Sequence, residues 1–286
     1  MEAIDLGKER SILVQGVRVP TFLYGTAWKE ERSEALTAAA LDAGFRGVDT
    51  ANQRKHYHEA GVGAAVRAFL ATHPRESLFL QTKFTSVSGQ DHRLPYDPAA
   101  PLAEQVRQSF DRSLEHLGVA HLDAYVLHGP EPRHGLGADD WAVWRAMEGL
   151  HAEGRARLLG VSNVSAEQLG ALLQGAKVPP ALVQNRCYAQ HGWDASVRAL
   201  CRAHGLVYEG FSLLTANRRV VGDRRLLPIA RRLSVAPEQV IFRFAMHIGI
   251  LPLTGSTDPA HLRADLSVYD LALTSEEVRL VEGLRG

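Results

Sequence analysis

The sequence predicts an α/β protein folded as one (β/α)8 barrel over residues 1–286, with a β-hairpin ahead of the barrel and extra helices towards the C-terminus. Three observations lead there. Eight short apolar runs recur along the chain, each is followed by a longer stretch with helical spacing, and no low-complexity linker breaks the alternation.

The first element is "RSILVQGVRVP", residues 10–20, which reads as two short strands around a "QG" turn. Barrel strands are then expected at Thr21–Gly25, Gly47–Thr50, Leu78–Lys83, Asp123–His128, Ala156–Ser162, Ala181–Asn185, Leu206–Phe211 and Ile250–Thr254. Between them lie amphipathic helices. In "ERSEALTAAALDAG" the spacing puts Ala35, Leu36, Ala39 and Ala40 on one face; in "PLAEQVRQSFDRSLEHLG" Val106, Phe110, Leu114 and Leu117 recur at three- and four-residue steps. Gly44, Gly118, Gly154 and Gly205 each follow a helical run and precede a strand, as helix stops do. Two late helical stretches, "RRLLPIARRLS" and "SEEVRLVEGL", are surplus to the alternation, and long loops, "GPEPRHGLGADD" and "SLLTANRRVVGD", follow the fourth and seventh strands.

Composition narrows the function. With 286 residues, 45% of them hydrophobic, the chain can fill a barrel core. Lys plus Arg equals Asp plus Glu at 32 each without long like-charge runs, so neither nucleic acid nor an anionic membrane is an expected partner. No window approaches the roughly 18 apolar residues of a membrane span, and "MEAIDLGKERSILVQG" lacks a leader pattern, so a cytoplasmic location is expected. Cys187 and Cys201 have no CxxC spacing and read as reduced packing residues, with no metal site. Nothing in the chain sets an oligomeric state.

In a barrel of this class the active site is built from the carboxyl ends of the strands. There Asp49 closes the second expected strand, Lys83 the third and His128 the fourth, with Tyr57 in the loop after Asp49. Taken singly, Asp49 reads equally well as a turn cap and His128 as a packed core histidine. Taken together, a lysine ending "LFLQT" needs a carboxylate such as Asp49, because a buried ammonium is costly when unpaired.

"GFRGVDTA", "LFLQTKF", "YVLHGP", "GRARLLGVSN" and "LVQNRCY", in this order and at these separations, resemble the aldo-keto reductases, and the similarity runs from "YGTAW" to "LTGSTDPAHLRADL". The resemblance implies nicotinamide-dependent reduction of a small aldehyde or ketone by a tetrad of aspartate, tyrosine, lysine and histidine. Asp49, Lys83 and His128 match directly. The tyrosine does not: its usual position, about five residues after the aspartate, holds Arg54 in a longer loop. Aligning back from Glu59 and Gly63 leaves Tyr57 or His56 in that place, and only Tyr57 offers a phenol. On this reading His128 polarises the carbonyl, Tyr57 protonates the alkoxide, Lys83 lowers the pKa of the phenol, and Asp49 keeps Lys83 charged and fixed.

The same resemblance implies that Ser162, Asn163 and Gln184 meet the nicotinamide carboxamide and that Phe211 stacks on the ring, although Asn163 also reads as the cap of the helix beginning "SAEQL" and Phe211 as core. Gly25 and Thr26, then Ser212 and Leu214, then Gly255, Ser256, Thr257, His261 and Asp265 complete the implied cofactor contacts. "GVGAAV", Gly61–Val66, is set aside as a nucleotide motif because it lies inside a helix and lacks the third glycine of GxGxxG. NADPH is the expected cofactor, with NADH in competition. Family members that prefer NADPH carry a lysine where this chain has Gly255 and an arginine near His261, with Arg263 close by. A nicotinamide-binding regulatory subunit and a non-redox isomerase or lyase remain open as alternatives. The chain stops at "VEGLRG", so no long tail is expected over the pocket.

Overall fold

The computed structural model describes residues 6–285. Strands β1 (Ser11–Val14) and β2 (Val17–Pro20) pair antiparallel through Gln15 and Gly16, both at positive φ, and form the expected hairpin. Then follow β3 (Leu23–Gly25), α1 (Ser33–Ala43), β4 (Gly47–Asp49), α2 (Glu59–Leu70), β5 (Phe79–Phe84), α3 (Leu102–Leu117), β6 (Leu122–Leu127) and α4 (Ala138–Ala152). The second half runs β7 (Ala156–Ser162), α5 (Ala166–Gly175), β8 (Leu182–Arg186), α6 (Ala195–His204) and β9 (Val207–Phe211). It ends with α7 (Arg218–Val221), α8 (Leu226–Leu233), α9 (Pro237–His247), β10 (Ile250–Thr254), α10 (Pro259–Leu266) and α11 (Ser275–Gly283).

Strands β3 to β10 close in sequence order into one parallel barrel, β10 pairing back onto β3. This is the predicted (β/α)8 architecture, and each expected strand is present, with β7 and β10 over the expected spans. Lys83 therefore lies one residue inside β5, and His128 one residue beyond β6. The stretch "SLLTANRRVVGD", expected to be a loop, contains α7. The two surplus helices are α8 and α11.

Parallel strands covered by helices are buried on both faces, which explains the wholly buried β4, β5 and β6. The buried face of α1 is rotated from the expected one: Ser33, Leu36, Thr37, Ala40 and Leu41 are buried, whereas Ala35 is exposed. Leu36 and Leu41 carry the large side chains, and their packing, rather than the run of alanines, sets the rotation. Gly44, Gly118 and Gly205 end α1, α3 and α6 in the left-handed region. "GVGAAV" has a packing role: a Cβ on Gly63 would lie 1.7 Å from the His116 carbonyl oxygen, so the glycine lets α2 and α3 touch. Cys187 and Cys201 are buried thiols, each pushed up to about 12 by burial. No helix among the described residues is long and apolar enough to cross a membrane.

At the amino-terminal end the hairpin residues Ile12, Leu13 and Val14 face Leu206, Val207 and Ile248 across a cavity of about 370 Å³. The chemistry-bearing side chains gather at the other end.

Candidate active site

The parallel register brings the strand ends together. Asp49 pairs with Gln81 on β5, and Lys83 pairs with Val126 on β6, so their side chains meet inside the barrel mouth. Lys83 is fully buried and its Nζ donates to Asp49 Oδ1 at 2.6 Å, Asp49 Oδ2 at 2.7 Å and the Thr50 carbonyl at 2.8 Å. All three N–H groups of the ammonium are thus used, and it acts on anything else through its charge alone. Burial disfavours that charge, but Asp49, Tyr57 and Glu209 together outweigh the penalty and raise the Lys83 pKa.

The loop after β4 is anchored before it reaches Tyr57. Asn52 Nδ2 donates to the Ser109 carbonyl and Gln53 Nε2 to the Gly89 carbonyl, and the Tyr57 N–H closes a turn on the Gln53 carbonyl. This sets the Tyr57 ring 5.3 Å from Lys83 Nζ and 6.0 Å, edge-on, from the His128 ring. The Tyr57 hydroxyl has no hydrogen bond among the described residues. His56 instead lies against Trp28, ring centroids 4.0 Å apart, and its carbonyl accepts from the Trp28 N–H. Burial and the neighbouring Lys55 lower the His56 pKa.

The expectation that Lys83 brings Tyr57 below its ordinary pKa is corrected. Burial raises it, Lys83 pulls it back and Asp49 opposes Lys83, with a net upward shift. The phenol is therefore protonated at neutral pH, the state a proton donor needs. His128 Nδ1 lies 2.6 Å from Thr85 Oγ1, and Nε2 has no partner among the described residues. Burial, aided by Lys83 and His56, lowers the His128 pKa to about 3, so the ring is neutral throughout the physiological range. In the tautomer in which Thr85 donates to Nδ1, Nε2 carries the ring proton and is the nitrogen left for a ligand.

Around this cluster the implied cofactor residues divide. Ser162 is buried and its hydroxyl donates to the Gln184 carbonyl, while Asn163, at positive φ, donates from Nδ2 to the His128 carbonyl and to Ser162 Oγ. Asn163 is not the helix cap; Ser165 caps α5. Gln184 Nε2 donates to Asp49 Oδ1 at 3.0 Å and Glu209 Oε2 at 2.8 Å, so only its carbonyl is open to a ligand. Phe211 is partly exposed, not core, and Arg186 lies 6.0 Å from its ring and 3.3 Å from Ser212 Oγ. Leu214 is partly exposed beside it.

Gly25 borders the Gly255 loop, a Cβ built on it lying 3.6 Å from the Thr254 carbonyl. Thr26 is buried and spends both its hydroxyl and its N–H on the Asp49 carbonyl, so it holds the main chain of Asp49. Asp265 also lies beneath the surface, accepting from Thr254 Oγ1 at 2.7 Å; burial raises its pKa to about 6. Gly255, Thr257 and His261 are exposed and Ser256 partly so. Asp258 caps α10, accepting from the Ala260 N–H, and stands 3.9 Å from His261.

Four residues were not anticipated. Gln81 and Glu209 stand two positions before Lys83 and Phe211 on their strands, and the period-two spacing of inward side chains is the signal that reveals them. Lys29 is buried, forms no salt bridge among the described residues, and donates through Nζ to the Gly255 carbonyl. A Cβ on Gly255 would sit 3.3 Å from that ammonium. Trp28, 69% exposed beside the mouth, was legible only as part of "YGTAW".

A family model described as "Aldo/keto reductase family" matches residues 21–285, from β3 to the end of the described chain. The chain belongs to the aldo/keto reductase family. It is 31% identical over 250 residues to 2,5-diketo-D-gluconic acid reductase B of Corynebacterium sp. (strain SHS752001), covering 87% of this chain and 83% of that one. Against 9,11-endoperoxide prostaglandin H2 reductase of Trypanosoma cruzi it is 28% identical, covering 95% and 90%. Among solved structures, an aldo/keto reductase from Brucella melitensis superposes with a TM-score of 0.82 at 26% identity, over 95% of this chain and 96% of that one. Aldo/keto reductases reduce small carbonyl compounds and use nicotinamide cofactors. The residues described fit such a group: an open amide carbonyl at Gln184, a partly exposed ring at Phe211, and a buried cation at Lys29 that no described carboxylate pairs.

Proposed function

We propose that this chain reduces an aldehyde or ketone to the alcohol with NADPH, Tyr57 giving the proton. One observation carries the reading: a phenol with no hydrogen-bond partner among the described residues stands beside a lysine locked on a buried aspartate and next to a neutral histidine. The nicotinamide, when bound, supplies the hydride to the carbonyl carbon. His128 Nε2–H then orients the carbonyl oxygen and meets the negative charge that builds there. Tyr57 passes its proton to that oxygen, and the phenolate left behind is held by the Lys83 charge until it regains a proton from solvent. Asp49 keeps Lys83 charged and fixes it, with no proton passing through the pair.

For the cofactor, the Gln184 carbonyl would accept from the carboxamide, Ser162 and Asn163 would hold its surroundings, and Phe211 would stack on the ring. Ser212, Leu214 and the turn Gly255–Thr257 would line the phosphates. The preference for NADPH over NADH rests on Lys29, whose ammonium lies 3.3 Å from where a Cβ on Gly255 would stand, with His261 and Arg263 following that turn in sequence. The Asp258 carboxylate at the start of α10 opposes it. Trp28 supplies an apolar wall suited to a non-polar substituent on the substrate.

The test is turnover. Purified protein with NADPH and a panel of aldehydes and ketones should consume the cofactor, followed by its absorbance, and Tyr57→Phe should not. NADPH binding without turnover of any carbonyl would favour a regulatory nicotinamide-binding subunit; no binding at all would favour a non-redox barrel.

A further inference from the structure

Glu209, on β9, is completely buried, and none of the steps above uses it. Its Oε2 accepts from Gln81 Nε2 and Gln184 Nε2, each at 2.8 Å, and the same two amide nitrogens donate to Asp49 Oδ1 at 2.8 and 3.0 Å. Two sealed-in carboxyl groups are therefore bridged by two glutamines. Charge does not balance if both are ionised, because Lys83 is the single cation in the cluster and all its N–H groups point elsewhere. A second defect sits beside the first. Glu209 Oε1 and Gln81 Oε1 are both buried without any hydrogen-bond partner among the described residues. They belong to two groups already joined through their other atoms, and two bare acceptors cannot satisfy one another.

One proton removes both defects. Placed on Glu209 Oε1 and donated to Gln81 Oε1, it would close the two-point pair that a carboxylic acid makes with an amide and would cancel the surplus charge. We propose that Glu209 is a positioning residue, held as a neutral carboxylic acid paired with Gln81, which fixes the orientation of the Gln81 and Gln184 amides. With Gln184 Nε2 turned towards the two acids, its carbonyl is the part presented to the ligand. The Gln81 amide is committed to Asp49 in the same way, and Asp49 keeps its own charge for Lys83. The ionisable groups facing Glu209 are Asp49 from β4 and Lys83 from β5; β8 contributes Gln184, and β10 spans Ile250–Thr254 without an ionisable side chain. Burial, then the Asp49 charge, raise the Glu209 pKa to about 7, in keeping with the neutral form.

The consequence for ligand binding rests on the cofactor reading above; the protonation state does not, and the two are tested apart. Glu209→Gln keeps one donor and one acceptor, whereas Glu209→Leu keeps the packing and loses both. The infrared spectrum of the wild type at pH 6 should contain the C=O band of a neutral buried carboxyl that Glu209→Gln lacks. Because the folded pKa lies above the unfolded value of 4.5, the wild type should lose stability relative to Glu209→Gln as pH rises from 4.5 through 7. Titrated with NADPH, Glu209→Leu should bind about tenfold more weakly, the scale of one lost hydrogen bond, and Glu209→Gln should restore binding to within about threefold. A missing infrared band overturns the neutral acid, as does Glu209→Gln as impaired as Glu209→Leu. Wild-type binding in Glu209→Leu overturns the positioning role. If the wild type binds no NADPH, the cofactor reading falls, and the neutral acid is decided by the infrared band and the pH dependence. Should Glu209→Leu fail to fold, Glu209→Gln carries all three measurements, with loss of NADPH binding as the contrary result.

Discussion

Asp49 and Lys83 stand on neighbouring strands, are buried, and hold each other through two hydrogen bonds, with His128 one residue past the next strand. Across the same barrel face, Gly255 and Thr257 lie exposed on the turn after β10 and His261 lies exposed in the first turn of α10. In the first region the barrel fixes each side chain before any ligand arrives, and the low dielectric makes a single charge decisive. In the second, solvent screens every charge and the main chain does most of the positioning. The first region should therefore respond steeply to single substitutions and the second only mildly.

The largest expected effect is at Lys83. Lys83→Met should cost turnover about 10³-fold or more and leave NADPH affinity within a few-fold. It should also destabilise the fold by about 3–5 kcal/mol, because Asp49 is left as an unpaired buried charge. Steady-state kinetics with denaturant melts check this, and a stable, active Lys83→Met would remove the contrast between the regions. Tyr57→Phe comes next: kcat should fall by roughly 10²-fold or more with NADPH binding almost unchanged. His56→Gln should be milder, since His56 packs on Trp28. The reverse order would put the proton donor at His56.

A smaller effect concerns pH. His128 has a folded pKa of about 3 against 6.5 unfolded, so its contribution to stability is present above pH 6.5 and declines as the pH falls towards 3. Melts at pH 7 and pH 4 should show a smaller acid loss in His128→Gln than in the wild type. The smallest effect belongs to the exposed turn and the start of α10. His261→Arg should raise the ratio of NADPH to NADH affinity by only about two- to fivefold, the scale of one screened surface charge. Asp258 at 3.9 Å will claim part of the new cation. An unchanged ratio would place the 2′-phosphate elsewhere, and a hundredfold gain would mean the turn is as preorganised as the barrel mouth.

The alternation of apolar runs and helical periods, with glycine stops, determined the barrel from sequence alone, because both periodicities are local. Asp49, Lys83 and His128 were legible for a related reason: strand ends in such a barrel point to one face. Tertiary structure decided the rest. Tyr57 and His56 are adjacent, and only the anchoring of their loop through Asn52 and Gln53 turns the phenol to Lys83 and the imidazole to Trp28. Gln81 and Glu209 lie 128 residues apart and meet only because β4, β5, β8 and β9 face one another across the closed barrel. Lys29 reaches Gly255 because β3 and β10 close that barrel. Burial then set the protonation states, holding His128 neutral and raising Tyr57, because a charge is disfavoured where the closed barrel excludes water.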